Sequence, residues 1–205
     1  SKKTVAVAGT SGKSTTSAML FQILLDAGLE PSIISGAGLT SIIKQGKIGN
    51  AYVGKGDWLI IEADESDGSV VQYEPEIGLL LNIDKDHQEI DELIELFTIF
   101  KNNTKGLYIV NQSNALAKTL SENINNDFGF ETEAGFIAKK FKQEGFKLSF
   151  EIDNQVFTMN AIGQHTVENA TAAVAVANQI GVDLKTCAES LSKYEGIYRR
   201  HQILG

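Results

Sequence analysis

The sequence predicts an α/β fold in which a mostly parallel sheet is flanked by helices, with a small three-stranded antiparallel side sheet. Three observations carry this prediction. Short apolar runs alternate with helix-length amphipathic segments as far as Ile124, the pattern of βαβ units on a parallel sheet. A Gly-rich turn joins the first run directly to the first helix. Three further runs between Phe136 and Ala161 follow one another too closely for crossover helices, so they pair antiparallel.

In chain order, residues 4–8 form an apolar run of small and β-branched side chains, read as a buried parallel strand. Met19, Leu20, Ile23, Leu24 and Ala27 share one face at helical spacing, and Gly28 and Pro31 end that helix. Residues 32–35 are the second strand, 57–62 the third and 77–82 the fourth. Ile90, Leu93, Ile94, Phe97 and Phe100 mark the next helix; a strand at 106–110 and a helix at 114–124 follow. The side sheet comprises residues 136–142, 146–152 and 156–161, turning around Gly145 and Asp153-Asn154. Two helices close the chain, one carrying Val167, Ala170, Val174 and Ala177, the other Leu184, Cys187, Ala188 and Leu191. Cys187 lies on an apolar face, so a buried, inert thiol is expected.

Composition narrows the class. The chain has 205 residues, 42% of them hydrophobic, which is enough for a self-sufficient core without staples. Its single cysteine excludes a disulfide scaffold and favours a reducing compartment. Lys and Arg number 18 against 26 for Asp and Glu, a formal charge of −8, which argues against a nucleic-acid face. The longest apolar stretches, such as 170–177, fall far short of the roughly 20 residues of a membrane span. Ser1-Lys2-Lys3-Thr4 reads as neither a signal peptide nor a natural initiator. The expectation is one cytoplasmic domain, residues 1–205, cut from a longer protein, with no membrane or nucleic-acid partner.

Gly9-Thr10-Ser11-Gly12-Lys13-Ser14-Thr15 sits between the first strand and the first helix, where backbone N–H groups and a helix N-terminus hold phosphate oxygens. Lys13 is placed to reach β- and γ-phosphates and Ser14 to offer its hydroxyl to Mg²⁺. The fold expected is therefore P-loop NTPase-like. Val7 and Ala8 stand where the full Walker A and the partition-ATPase patterns want Gly and Lys, and no guanine-reading Asn-Lys-x-Asp is present.

Glu62-Ala63-Asp64-Glu65-Ser66-Asp67 ends the third strand. Ligands of open α/β sheets sit beyond the carboxyl ends of the strands, so these carboxylates are expected to face the phosphate loop, with Glu62 the first choice for a metal. Asn82-Ile83-Asp84-Lys85-Asp86-His87 ends the next strand in the same way. It makes His87 a candidate ligand for a second Mg²⁺ or a phosphate.

Together these motifs resemble the Mur ligase superfamily, and within it the central ATP-binding domain of the L-alanine-adding branch. The resemblance rests on Gly9 through Thr16, Glu62 through Gly68, Asn82 through His87, Gly163-x-His165 with Asn169-Ala170, and Gly196-x-x-Arg199-Arg200-x-Gln202. It implies a reaction in which a substrate carboxylate takes the γ-phosphoryl of ATP and an amino-acid amine then displaces phosphate. ATP and Mg²⁺ would be the cofactors, and UDP-N-acetylmuramate and L-alanine the substrates of the full-length enzyme. Lys13 would stabilise the transferring phosphoryl group, Ser14 would hold the first Mg²⁺, and Glu62 and His87 would hold magnesium between ATP and the substrate carboxylate. His165 and Asn169 would line the adenine pocket, and Arg200 would contact phosphate. Catalytic roles thus fall to Lys13, Glu62, His87 and Arg200. Nucleotide-binding roles fall to Gly9, Thr10, Ser11, Gly12, Lys13, Ser14, Thr15, His165, Asn169 and Arg200.

The sequence also departs from the family pattern. Ser11 replaces the usual loop histidine of this branch, Thr166 stands where the family has Asn, and His201 replaces a usual Phe. Lys101 falls near a position where other branches carry a CO₂-modified lysine; it is read here as a surface lysine. The resemblance further implies an N-terminal uridine-nucleotide domain and a C-terminal domain, both absent from this chain, so residues 1–205 alone are expected to bind Mg-ATP weakly and form no amide. Two alternatives stay open. A murein tripeptide ligase differs at Ser66, where that branch usually has Tyr. A nucleotide-binding module without ligase chemistry needs only the phosphate loop and an acidic strand end.

Overall fold

Strand β1 (Lys3–Ala8) organises the molecule, because its side chains are buried on both faces of the sheet. Val5 and Val7 point into the core that contains helix α1 (Lys13–Asp26), while Ala6 and Ala8 join the core of helix α2 (Ile90–Asn103) with Phe97 and Phe100. In the computed structural model, the described residues are 1–39, 43, 49–85 and 88–196. The remaining strands of the main sheet are β2 (Ser32–Ile34), β3 (Ala51–Tyr52), β4 (Trp58–Glu62), β5 (Ile77–Leu80) and β6 (Leu107–Val110). Their order is β3-β2-β4-β1-β5-β6, parallel except for the β2–β3 pair at the edge. The chain leaves β1 towards β2 on one side and later crosses to β5 on the other. The carboxyl end of β1 is therefore a switch point, the place where such sheets open a ligand crevice.

A second sheet contains β7 (Phe128–Phe130), β8 (Phe136–Glu144), β9 (Lys147–Ile152) and β10 (Gln155–Met159) in the order β10-β9-β8-β7. The expected antiparallel meander is there as β8–β9–β10, with Asp153 and Asn154 both at positive φ (48° and 65°) in its tight turn. A fourth strand, β7, lies parallel to β8 and extends the three-stranded sheet that the sequence predicts. Its three residues, Phe128-Gly129-Phe130, are too short and Gly-interrupted to show a strand period. Pairing supplies what pattern does not: a parallel bridge between Asn111 and Phe128 links β7 to the end of β6.

The helix expected over 114–124 is reduced to a 3-10 turn, Ala117–Leu120. Asn114 Oδ1 accepts from the Ala117 N–H at 2.9 Å and Asn123 Oδ1 from the Asn125 N–H at 3.1 Å, local bonds that compete with helix propagation. Helices α3 (Gln164–Ile180) and α4 (Leu184–Ser192) close the chain. Helix α3 packs on α1 and against β7 and β8, so the core around Val5 and Val7 continues into the second sheet through Phe128, Phe150 and Phe157. Cys187 is fully buried, as its apolar face predicts.

Candidate phosphate-loop site

The loop after β1 turns on two glycines at positive φ, Gly9 (142°) and Gly12 (84°). Gly12 is the N-cap of α1 and no side chain caps that helix, so its first backbone N–H groups are left to an anion. Asn82, just past β5, clamps the loop: its Oδ1 accepts from Thr10 Oγ1 and the Ser11 N–H, each at 2.9 Å, and its Nδ2 donates to the Ser11 carbonyl at 3.1 Å. Thr10 Oγ1 in turn accepts from the Asp84 N–H at 3.1 Å. Ser14 and Thr15 are buried in the first turn of α1.

Two ionic or polar pairs face this loop. Lys13 Nζ donates to the Gly9 carbonyl at 2.7 Å and to Glu65 Oε2 at 2.8 Å, and Glu65 is itself buried. Ser14 Oγ donates to Glu62 Oε2 at 2.9 Å. Glu62 Oε1 accepts from Ser35 Oγ at 2.5 Å and the Gly36 N–H at 3.0 Å, both at the end of β2. The acidic run thus divides. Glu62 and Glu65 reach the loop as expected. Asp64 instead accepts from Ser66 N–H and Oγ, and Asp67 from the Ser69 N–H, a bond that holds its carboxyl below the ordinary range.

Across the loop, Ser11 and Gly12 border a cavity of about 260 Å³ whose far wall is the start of α3. His165 and Asn169 line it, together with Leu81, Phe128, Asn111 and Glu168. Helix α3 comes so close that a Cβ on Gly12 would meet Asn169 Oδ1 at 2.6 Å. Thr166, the departure from the family Asn, turns away and donates to the Ile162 carbonyl at 2.7 Å. Lys101 lies in the last turn of α2. His87 and Arg200 lie outside the described residues, as do Arg199 and His201.

The arrangement gathers one cation, a set of open helix-terminal amides and a hydroxyl–carboxylate pair around one loop. The Ser14–Glu62 pair offers the hard oxygen donors that Mg²⁺ takes alongside phosphate oxygens and water. Among the described residues, no group of three or more His, Cys, Asp and Glu side chains forms a cage that would hold a metal without such help.

The Mur ligase middle domain family matches residues 7–177. The chain belongs to this family. Among curated relatives of this Mur ligase middle domain, the UDP-N-acetylmuramate–L-alanine ligase of Synechocystis is 32% identical over 98% of the chain and 41% of the relative. That of Desulforapulum autotrophicum is 35% identical over 100% of the chain and 47% of the relative. The chain therefore spans under half the length of these proteins. A crystal structure of a UDP-N-acetylmuramate-alanine ligase from Thermotoga maritima superposes with a TM-score of 0.84 at 24% identity, covering 97% of the chain and 46% of that structure. A tripeptide ligase from Neisseria meningitides follows the same fold, with a TM-score of 0.79 at 24% identity over 94% of the chain and 66% of that structure.

Sequence reasoning picks out the loop, the acidic run with Glu62 and the start of α3, and it misses three contributors to this Mur ligase middle domain. It places Glu65 at the loop without ranking it among the neighbouring acids, and Ser35 and Gly36 sit at an ordinary strand end. Glu168 carries no motif of its own. The clamp by Asn82 has a usable signal, since an Asn ending the strand beside a phosphate loop is placed to bond that loop's backbone.

Proposed function

We propose that the chain is the ATP-binding domain of an ATP-dependent amide-bond ligase of peptidoglycan precursor synthesis, one that joins L-alanine to UDP-N-acetylmuramate. The observation that carries this reading is the pairing of Lys13 with the loop and of Ser14 with Glu62 at one sheet switch point. The chemistry starts when an oxygen of the substrate carboxylate attacks the γ-phosphorus of ATP and the bond to ADP breaks, giving an acyl phosphate. The amine of L-alanine then attacks the acyl carbon, the carbon–oxygen bond to phosphate breaks, and the amine loses a proton.

Phosphoryl transfer of this kind is achieved mostly by positioning and charge neutralisation. The free N–H groups at the start of α1 hold phosphate oxygens, and Lys13, with two of its three N–H bonds spent on Gly9 and Glu65, keeps one to direct at the transferring group. Ser14 and Glu62 would hold Mg²⁺, which supplies charge neutralisation at the phosphates when bound; Ser35 and Gly36 fix the Glu62 carboxylate for that task. His165 and Asn169 border the base. His87 and Arg200 take the second-magnesium and phosphate contacts that the family resemblance gives them. The uridine-nucleotide and amino-acid sites belong to flanking domains of the parent protein, whose relatives are more than twice this length. No helix among the described residues is long and apolar enough to cross a membrane. The reaction, which consumes ATP, belongs in the cytoplasm.

The test is phosphate release by the full-length parent with ATP, Mg²⁺, UDP-N-acetylmuramate and L-alanine. Stimulation by both the nucleotide sugar and L-alanine is expected, with large losses for Lys13→Ala, His87→Ala and Arg200→Ala. Turnover with the murein tripeptide in place of L-alanine would refute the alanine assignment, and full activity without His87 and Arg200 would refute the ligase.

A further inference from the structure

We propose that Ser35 is a specificity-determining residue for the cation of the phosphate-loop site: it makes Glu62 a one-oxygen ligand and so selects Mg²⁺ over Ca²⁺. This rests on the nucleotide-binding reading above, with Ser14 and Glu62 as the donors. The two oxygens of Glu62 are not equivalent. Oε1 accepts from Ser35 Oγ at 2.5 Å and from the Gly36 N–H at 3.0 Å. Among the described residues, Oε2 accepts from Ser14 Oγ alone, at 2.9 Å. A carboxylate oxygen has about two lone-pair positions. Oε1 is therefore filled, and Oε2 keeps one position beside Ser14.

The donation from Ser35 is built into the strand end. Ser35 is buried just past β2, and its N–H donates to the Asn50 carbonyl at 2.8 Å. Its Oγ accepts from the Ala37 N–H at 3.2 Å, which directs the hydroxyl proton away from that turn and onto Glu62. Gly36 keeps the other oxygen open. A Cβ there would stand 3.2 Å from Glu62 Oε2 and 3.9 Å from Ser14 Oγ, at the border of the space these two atoms share. One strand end thus closes one oxygen of the carboxylate and clears the approach to the other.

The two hard cations differ in what they ask of a carboxylate. Ca²⁺ takes about six to eight oxygens and often chelates both oxygens of one carboxylate. Mg²⁺ demands near-ideal octahedral geometry and keeps several waters. With Oε1 filled, Ca²⁺ must displace a hydrogen bond or give up a ligand, and Mg²⁺ does neither. The same bonds hold the carboxylate plane before any cation arrives, so the ordering cost is already met. Ser35 does not touch the cation. It acts through Glu62, as a positioning residue.

The experiment is calorimetric titration of the 205-residue chain with ATP in excess Mg²⁺, in excess Ca²⁺ and in EDTA, for the wild type, Ser35→Ala, Ser35→Cys and Ser35→Thr. ATP in EDTA reads the phosphate loop alone and is the reference for each protein. The wild type is expected to bind ATP more tightly with Mg²⁺ than with Ca²⁺ by roughly 10-fold, the scale of one hydrogen bond to a charged group. Ser35→Ala frees a position on Oε1 and brings that ratio close to one, chiefly by tightening the Ca²⁺ complex. Ser35→Cys, a weak donor of similar size, falls between and carries the test should the smaller side chain fail to fold. Ser35→Thr keeps the hydroxyl and restores the wild-type ratio. A purely structural role for Ser35 weakens ATP in all three media alike and leaves the ratio where it was, which overturns the proposal. Equal affinity of the wild type for the two metal complexes also overturns it. ATP bound in EDTA but not strengthened by Mg²⁺ overturns the assignment of Ser14 and Glu62 as donors, and the proposal with it. Failure of ATP to bind the wild type in any medium overturns the nucleotide reading itself.

Discussion

Replacing Glu65 by Gln is expected to destabilise the empty domain and strengthen its grip on magnesium-free ATP. The pair it disrupts is short and sheltered: Lys13 Nζ lies 2.8 Å from Glu65 Oε2, and the side chains are 16% and 9% exposed. At an effective dielectric constant of about 20, two unit charges at that separation attract by about 6 kcal/mol. Desolvating both groups takes back most of this, and removing one partner of a buried pair costs about 3–5 kcal/mol in the worst case. Lys13 keeps its bond to the Gly9 carbonyl, and the substituted side-chain amide would still offer an oxygen, so the expected loss is nearer to about 2 kcal/mol. For a domain of this size that corresponds to a melting temperature lower by about 4–8 °C.

Nucleotide binding moves the other way. In the wild type the incoming phosphates share Lys13 with an anion already in contact with it; in Glu65→Gln they do not. Differential scanning fluorimetry in EDTA, with and without saturating ATP, reads both effects, because a ligand that binds the folded state raises the transition by mass action. The variant is expected to melt lower alone and to gain more from ATP than the wild type. An unchanged melting temperature together with an equal or smaller ATP shift would refute the reasoning that Glu65 holds Lys13 against its ligand.

Gly12→Ala places a Cβ 2.6 Å from Asn169 Oδ1 at φ +84°, so it is expected to cost about 1–3 kcal/mol in urea unfolding and to abolish ATP binding by calorimetry. Cys187, whose thiol is pushed up to about 12 by burial, is expected to give no reaction with Ellman's reagent in the native chain at pH 8 and one equivalent in urea. Asp183 accepts from the Thr186 N–H at 2.7 Å as the N-cap of α4, which holds its carboxyl below the ordinary range. Its contribution is therefore complete above that range and lost as the pH falls through the lower folded value, where the unfolded chain already binds the proton. Urea midpoints of the wild type and Asp183→Asn are expected to differ by a constant amount above about pH 5 and to converge below it.

What the sequence discloses depends on how local the chemistry is. The phosphate loop is legible because strand, turn, lysine and helix start are contiguous and each has its own signature. The three meander strands are legible for the same reason, down to Asp153-Asn154 in the turn. Strand β7 is not, because Phe128-Gly129-Phe130 has no period and becomes a strand only by pairing with residues that the fold brings to it. Within the acidic run, composition cannot rank Asp64, Glu65 and Asp67. The turn ranks them, by tying Asp64 to Ser66 and Asp67 to Ser69 and leaving Glu65 directed at Lys13. Glu168 is illegible for a further reason: its partner Asn111, just past β6, is 57 residues away in sequence, and only the assembled sheets make the cavity.

The second sheet consequently bears on nucleotide binding although it contributes one residue, Phe128, to the cavity wall. Helix α3 carries His165, Glu168 and Asn169, yet no side chain caps its first turn, and it starts at Gly163, whose φ of 88° gives the entering chain little intrinsic direction. Gln143 in β8 supplies that direction. Its Oε1 accepts from the Gly163 N–H at 3.0 Å, and its Nε2 donates to the carbonyls of Ala161 (3.1 Å) and Gly145 (2.8 Å). The segment entering α3 is thus tied to the second sheet, while the body of the helix is packed on α1, the helix that begins at the phosphate loop. A shift of β8 relative to β1 would move the base end of the site against its phosphate end. The continuous core from Val5 and Val7 to Phe150 and Phe157 resists that shift, and this makes two sheets serve one binding site.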